Sequence, residues 1–170
     1  PLGIAIEGIQ GTRLSLDLFV KALRRVRHVY VGERHRESLS HETQLNILQL
    51  LQRSGAKIAI GIEWLPYTSQ RALDRFIAGK IDEKMMLQTS AWRANWGPSY
   101  SSYAAIIRFA KKHQIPIWGL NAPKELVKRV ARQGLAGLSA DERRGLPPLS
   151  AGNAAHRAFF KKMMMGAGSG

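Results

Sequence analysis

The sequence predicts an α/β domain: a largely parallel sheet with helices on both faces. Three observations point there. Helix-like and strand-like segments follow the order α-β-α-β-α-α-β-α-α, and such alternation builds parallel strands joined by right-handed crossovers. The strand runs are short and nearly all apolar, as strands covered on both faces should be. Each run also ends on a polar residue, in Gly32-Glu33, Ile62-Glu63 and Leu120-Asn121. In a parallel sheet those C-terminal ends share one edge, where open α/β sheets bind ligands.

Residues 1–13 are apolar and glycine-rich and read as a lead-in hairpin. Leu16, Phe19, Val20 and Leu23 recur at helical spacing behind Ser15, a good N-cap. Val29–Val31 is the first strand. Ser40 can cap a second helix with Glu42 in its first turn; Leu45, Leu48 and Leu51 form its apolar stripe, and Gly55 ends it. The second strand is Ile58-Ala59-Ile60-Gly61-Ile62-Glu63. Thr68 to Ala78 reads as a helix stopped by Gly79, and Asp82 to Leu87 as a short helix before a loop holding Trp92 and Trp96. Pro98 or Ser99 opens a long helix in which Tyr103, Ile106, Ile107 and Ala110 share a face. The third strand, Ile115 to Leu120, carries Pro116 near its start, which suits a central strand less well. Pro123 begins a helix through Gln133, with Gly134 beyond it. Ser139 and Glu142 have capping-box spacing, Pro147-Pro148 breaks the chain, and Asn153 to Met164 is helical. One domain over 1–165 follows, with a flexible tail at 166–170.

The 170 residues suit a single core, and 45% hydrophobic content places the chain among globular proteins. Cysteine is absent, which excludes disulfides, thiolate metal sites and cysteine nucleophiles. No apolar run approaches the roughly 20 residues of a membrane-spanning helix. Pro1-Leu2-Gly3 has neither a methionine nor a basic n-region, so the chain reads as a processed or cloned fragment, which leaves room for an address cut away. The net charge of +14 suits a polyanion or a small anionic ligand. Pairs such as Lys111-Lys112 and Arg143-Arg144 fall at helix C-terminal ends, where cations meet the helix dipole. No basic tract is interleaved with aromatics, so nucleic acid is not favoured as a partner.

The stretch Val29-Tyr30-Val31-Gly32-Glu33-Arg34-His35, continued to His41, carries the chemistry. Glu33, His35, Glu63 and Asn121 stand at the three strand ends and can converge. His35 suits a metal ligand, a general base or a contact to a carboxylate ligand, and equally a plain exposed loop. His41 lies in the first turn of a helix, where the dipole favours a neutral ring. Only Glu33, His35 and Glu63 are available to a metal, with Glu33 and His35 the first choices, and a closed zinc site is disfavoured without thiols. GxSxG, P-loop and GxGxxG patterns are absent. The second informative stretch runs from Trp92 to Tyr103. Its Trp96, Tyr100 and Tyr103 can build an aromatic pocket wall, and a tyrosine oxygen can ligate ferric haem iron. Core packing is the plainer reading, above all for Tyr103.

These motifs, with Gly61-Ile62-Glu63, Asn95-Trp96-Gly97 and Asn121-Ala122-Pro123, fall in an order that resembles the ChaN-like haem-binding, iron-regulated lipoprotein family. That family sits within the Tiki/TraB/erythromycin-esterase grouping. The resemblance runs from about Leu14 to Phe160 and covers the first half of the family's length, so the sheet is expected to be incomplete relative to the whole fold. It implies a bacterial protein of the periplasm or membrane surface, tethered through a lipidated N-terminus, that binds haem as a homodimer. A tyrosine would ligate iron, with Tyr100 and Tyr103 the candidates, and a histidine of the partner would hold propionates. Arg36 and Ser40 stand where the family has an acidic residue and a second histidine, which bears more on a metal site than on haem.

The favoured reading is therefore a non-catalytic haem-binding protein for iron or haem acquisition or trafficking. Its cofactor-binding residues would be Glu33, His35, His41, Glu63, Trp96, Tyr100, Tyr103 and Asn121. The alternative is a hydrolase using a divalent metal ion held through Glu33 and His35, with Glu33 or Glu63 as base. A basic adaptor for polyanions is the third reading.

Overall fold

The computed structural model describes residues 14–35, 37–97, 100–146 and 153–166. The hairpin expected over 1–13, the helix start at Pro98 or Ser99, the Pro147-Pro148 break and the tail after Gly166 lie outside the described residues. The chain divides into two compact units, residues 1–124 and 125–170.

In the first unit, α1 (Leu16–Arg24) starts where the Ser15 side chain accepts the Leu18 N–H at 3.3 Å. Helix α2 (Ser38–Arg53) begins two residues before the expected cap, with Glu37 at the N-cap position. Ser40 instead donates to the Glu37 carboxylate at 3.0 Å and accepts the Arg34 N–H at 3.3 Å. The buried face of α2 is His41, Ile47, Leu50 and Leu51, while Leu45 and Leu48 are only partly covered. The face is turned relative to the expected Leu45-Leu48-Leu51 stripe because a polar residue, His41, points inward. Gly55, at φ +74°, ends the run.

The sheet has two parallel strands among the described residues, β1 (Ile60–Pro66) and β2 (Ile117–Asn121), in register Ile60↔Ile117 and Ile62↔Gly119. Along β1 burial alternates: Ile60, Ile62 and Trp64 point inward, and Gly61 and Glu63 are exposed. The outer edge of β2 is paired by a side chain. Gln70 donates to the Ile117 carbonyl at 2.8 Å and accepts the Gly119 N–H at 3.2 Å, which occupies edge groups that would otherwise be open to another strand.

The expected strand Val29–Val31 is not a strand. The segment forms no ladder with β1, and Val29 is 39% and Tyr30 92% exposed. A groove of about 490 Å³, lined among others by Val29, Val31, Ile47, Leu51 and Ile60, separates it from the sheet. Valine and tyrosine favour strands only where a neighbouring strand receives them. The tie that holds this segment is a side-chain one, Gln44 Nε2 to the Val31 carbonyl at 3.4 Å.

After a 3₁₀ turn at Tyr67–Ser69, α3 (Gln70–Ile77) packs on β2, and α4 (Glu83–Thr89), capped by Asp82 through the Met85 N–H at 2.7 Å, packs on α3. Trp92 and Trp96, expected in a loop, frame a single helical turn, α5 (Trp92–Asn95). Helix α6 (Ser101–Lys112) buries Tyr103, Ile106, Ile107 and Ala110, the face read from their spacing. These residues join Leu73, Phe76, Met86 and Ile117 in one core.

Gly119 sets how closely the two strands meet. A Cβ there would lie 2.6 Å from the Pro66 carbonyl oxygen and 3.0 Å from that of Leu65, both backbone atoms. Gly119→Ala is therefore expected to destabilise the protein by about 1–3 kcal/mol. The readout is a lower urea midpoint at an unchanged m value; an unmoved midpoint would show that the end of β1 yields freely.

The second unit contains most of α7 (Lys124–Gln133), then α8 (Ala140–Arg144) and α9 (Ala154–Gly166). Ser139 and Glu142 form the expected capping box, and Arg129 grips the Glu142 carboxylate at 2.7 and 2.9 Å. Phe159, Phe160 and Met163 of α9 are exposed. No helix among the described residues is long and apolar enough to cross a membrane.

Candidate functional site

The site is assembled around one carboxylate. The Glu33 side chain is 4% exposed, and a charge so placed is tolerable only if it is paired and hydrogen-bonded. Its Oε1 accepts from His35 Nδ1 at 2.8 Å and from the Tyr103 hydroxyl at 3.1 Å. Its Oε2 accepts from Gln44 Nε2 at 3.2 Å. His41 Nε2 also stands 3.2 Å from Oε2, off hydrogen-bond geometry, and is charged only when protonated. Burial pushes the Glu33 carboxyl up, but the bonds from His35, Gln44 and Tyr103 and the nearby His41 outweigh it and hold the group below its ordinary value.

Each donor is placed by a different element. His41 and Gln44 lie three residues apart near the start of α2 and so share a face, directed at Glu33. Tyr103 comes from the buried face of α6. His35 follows Glu33 by two residues in the connecting segment, and its side chain stays 55% exposed. Its ring meets Trp96 edge-on, with centroids 4.9 Å apart and planes at 84°. Glu63, exposed on β1, brings a carboxylate oxygen within 4.8 Å of ligand atoms of Glu33 and His35. Asn121, at the end of β2, donates to the Glu63 carbonyl. The four residues expected at the sheet edge therefore do lie together, although only two of the three carrying segments are strands.

The aromatic stretch stacks behind them. Tyr103 packs on Trp64 with centroids 4.3 Å apart and on His41 at 4.5 Å, while Trp92 meets Tyr100 at 5.2 Å. Neither candidate tyrosine offers its oxygen to the surface. Tyr103 is 0% exposed, and the Tyr100 hydroxyl is buried although its ring is partly accessible. Burial, and then the Glu83 carboxylate, push the Tyr100 phenol well above its ordinary value. Burial also raises Tyr103, offset in part by the Trp96 N–H and reinforced by Glu33. The tyrosines with exposed rings are Tyr30, at 92%, and Tyr67, at 42%.

A family model described as "Haem-binding uptake, Tiki superfamily, ChaN" matches residues 19–170. The chain belongs to this family. No curated protein matches it in sequence. A solved structure, "Cofacial heme binding to ChaN of Campylobacter jejuni", is similar over 96% of this chain at a TM-score of 0.69 and 16% identity. At that identity the likeness speaks for the fold. The chain spans 63% of the length of the solved chain.

In this ChaN-family chain, Glu33, His35, His41, Tyr103 and Glu63, all named from the sequence, lie together, and Gln44, not named there, joins them. The signal was present: Gln44 lies one turn after His41 on the same helix. That signal is weak, because a glutamine inside a leucine-rich helix reads as surface. Trp64 and Trp92, which close the aromatic stack around Tyr103, are the other contributors.

Proposed function

We propose that the protein binds haem at the rim formed by His35, Glu63, Asn121 and Trp96, without catalytic turnover, in the acquisition or trafficking of iron or haem. The observation that carries this reading is the family match over residues 19–170. The local chemistry fits the group. Haem is a flat apolar disc with a metal centre and two carboxylates. The rim offers an accessible imidazole against an indole, backed by an aromatic stack. Beside Trp96 the rim also offers an exposed cation, Lys124, whose Nζ reaches the Ala94 carbonyl at 2.6 Å. When bound, haem supplies the iron chemistry; the chain supplies the donor, the wall and the counter-charge. A homodimer, and a membrane or periplasmic setting through a lipidated N-terminus, belong to the same proposal and rest on the family resemblance.

The test is a hemin titration of the protein followed by absorbance. A saturable shift of the Soret band at a fixed stoichiometry is expected, and a free-hemin spectrum at every ratio would end this reading.

A second reading, a hydrolase dependent on a divalent metal, has one observation behind it: Glu33, His35 and Glu63 offer ligand atoms within 4.8 Å of one another. The donor pattern weighs against it. The Glu33 oxygens already accept from His35, Tyr103 and Gln44, which leaves little lone-pair capacity for an ion. Protein dialysed against Zn²⁺ or Mn²⁺ is expected to retain neither at stoichiometric level.

A further inference from the structure

We propose that α9 is the face by which the protein docks on an anionic lipid surface. The helix lies along the bilayer, with Phe159, Phe160 and Met163 among the upper acyl chains and its cations at the headgroups. The proposal is independent of the haem reading above and of a lipidated N-terminus.

It starts from a helix that buries nothing. Every side chain over residues 154–163 is exposed. Phe159 keeps 62% of its surface open, Phe160 56% and Met163 58%. A helix of 13 residues is marginal in water by itself and draws its stability from an apolar face laid against something else. In α9 that face is present and open.

The face has a definite shape. At about 100° per residue, Phe159, Met163 and Phe160 fall within one arc of about 100° around the axis. His156 stands in the same arc, and an imidazole, with an apolar body and a polar tip, suits a boundary between oil and water. Cations flank the arc on both sides. Lys162 lies about 60° beyond Phe159, and Arg157 about 60° beyond Phe160, with Lys161 further round. The helix contains no acidic residue.

The flanking charges select the occupant. A second α9 would set lysine against lysine with no carboxylate to answer them, and like charges held close repel. A bilayer edge has an apolar layer under the arc and headgroups along both of its sides. Lysine and arginine stems can lie along the apolar layer while their charged ends stay at that level. Anionic headgroups complete the match, since basic side chains near such a surface are attracted one by one. The rest of the molecule has the same sign, with a net charge of +14.

The experiment mixes the whole chain with sedimentable vesicles of phosphatidylcholine alone or with phosphatidylglycerol. Binding is expected only with phosphatidylglycerol, and is expected to weaken steeply between about 0.1 and 1 M salt, as the screening length shortens. Phe159→Ser/Phe160→Ser and Lys161→Glu/Lys162→Glu should each lower the affinity by about tenfold or more. All four positions are exposed, so both variants should keep the parent's urea midpoint. The chain has no cysteine, so Met163→Cys accepts a single environment-sensitive fluorophore, whose emission should shift to the blue on the anionic vesicles. Parent protein that stays in the supernatant overturns the proposal. Binding that both double variants retain also overturns it, because the general charge of the molecule would then suffice. A fluorophore already blue-shifted without vesicles overturns it too. Dependence of that shift on protein concentration would assign the face to a second copy, and independence to another part of this chain.

Discussion

Tyr103→Ala is expected to lower the unfolding free energy by about 3–5 kcal/mol, the range for emptying a large aromatic site in a core. Against the roughly 5–15 kcal/mol that holds a typical domain together, this is enough to leave a substantial unfolded fraction at ambient temperature. The size follows from position. The ring is fully buried and packs on Trp64, Trp92, Trp96 and His41. Four large rings cannot all move into the space it leaves, so a cavity persists. Tyr103→Phe separates the two roles of the side chain: it keeps the ring and removes only the hydroxyl that donates to Glu33 at 3.1 Å. It should cost about 1.5–3 kcal/mol, as for other hydrogen bonds to charged groups. Chemical denaturation reports the free energies, and near-ultraviolet circular dichroism reports the ordering of the three tryptophans. An alanine variant within about 1 kcal/mol of the parent would show that the stack collapses over the gap, contrary to close packing.

Glu33→Ala has the second large effect, about 3–5 kcal/mol, because it leaves the buried donors Tyr103 and Gln44 and the neighbouring His41 without their acceptor. Its pH dependence has a definite sign. The Glu33 carboxyl is held below its ordinary value of 4.5 in the folded protein, so across that window the unfolded chain binds more protons. The stability Glu33 contributes is then present above the ordinary value and lost as pH falls through the folded one. The gap in unfolding free energy between parent and Glu33→Ala should shrink on acidification from neutrality. A gap that widens would mean burial, not the donors, controls the group. Because Glu33 and Tyr103 touch, their effects should not add, and the double variant should be less impaired than the sum of the single ones.

The helices were legible because their signals are local. Ser15, Asp82 and the Ser139/Glu142 pair mark starts that the structure reproduces, and the Tyr103-Ile106-Ile107-Ala110 face is the one buried. The parallel pairing of the second and third apolar runs was legible from their alternation with helices. Val29–Val31 misled because a run of strand-forming residues says nothing about whether a partner edge comes within hydrogen-bond reach. At the site, residue types and order pointed to Glu33, His35 and Glu63. What a linear reading could not supply was direction: Tyr103 sits on the core face of its helix, and that same placement turns its oxygen towards Glu33.

The detached Val29–Val31 segment has one more consequence. Glu33 takes its coordinates from α2 and α6 through side-chain donors, with no ladder of main-chain bonds feeding into it from upstream. Residues 26–31 therefore serve as a slack connector, in which an added or deleted residue is absorbed before it reaches the carboxylate. A single insertion between Gln44 and Ile47 is different: with Ile47, Leu50 and Leu51 holding the helix to the core, it swings both His41 and Gln44 about 100° around the helix axis and strips Glu33 of them at once.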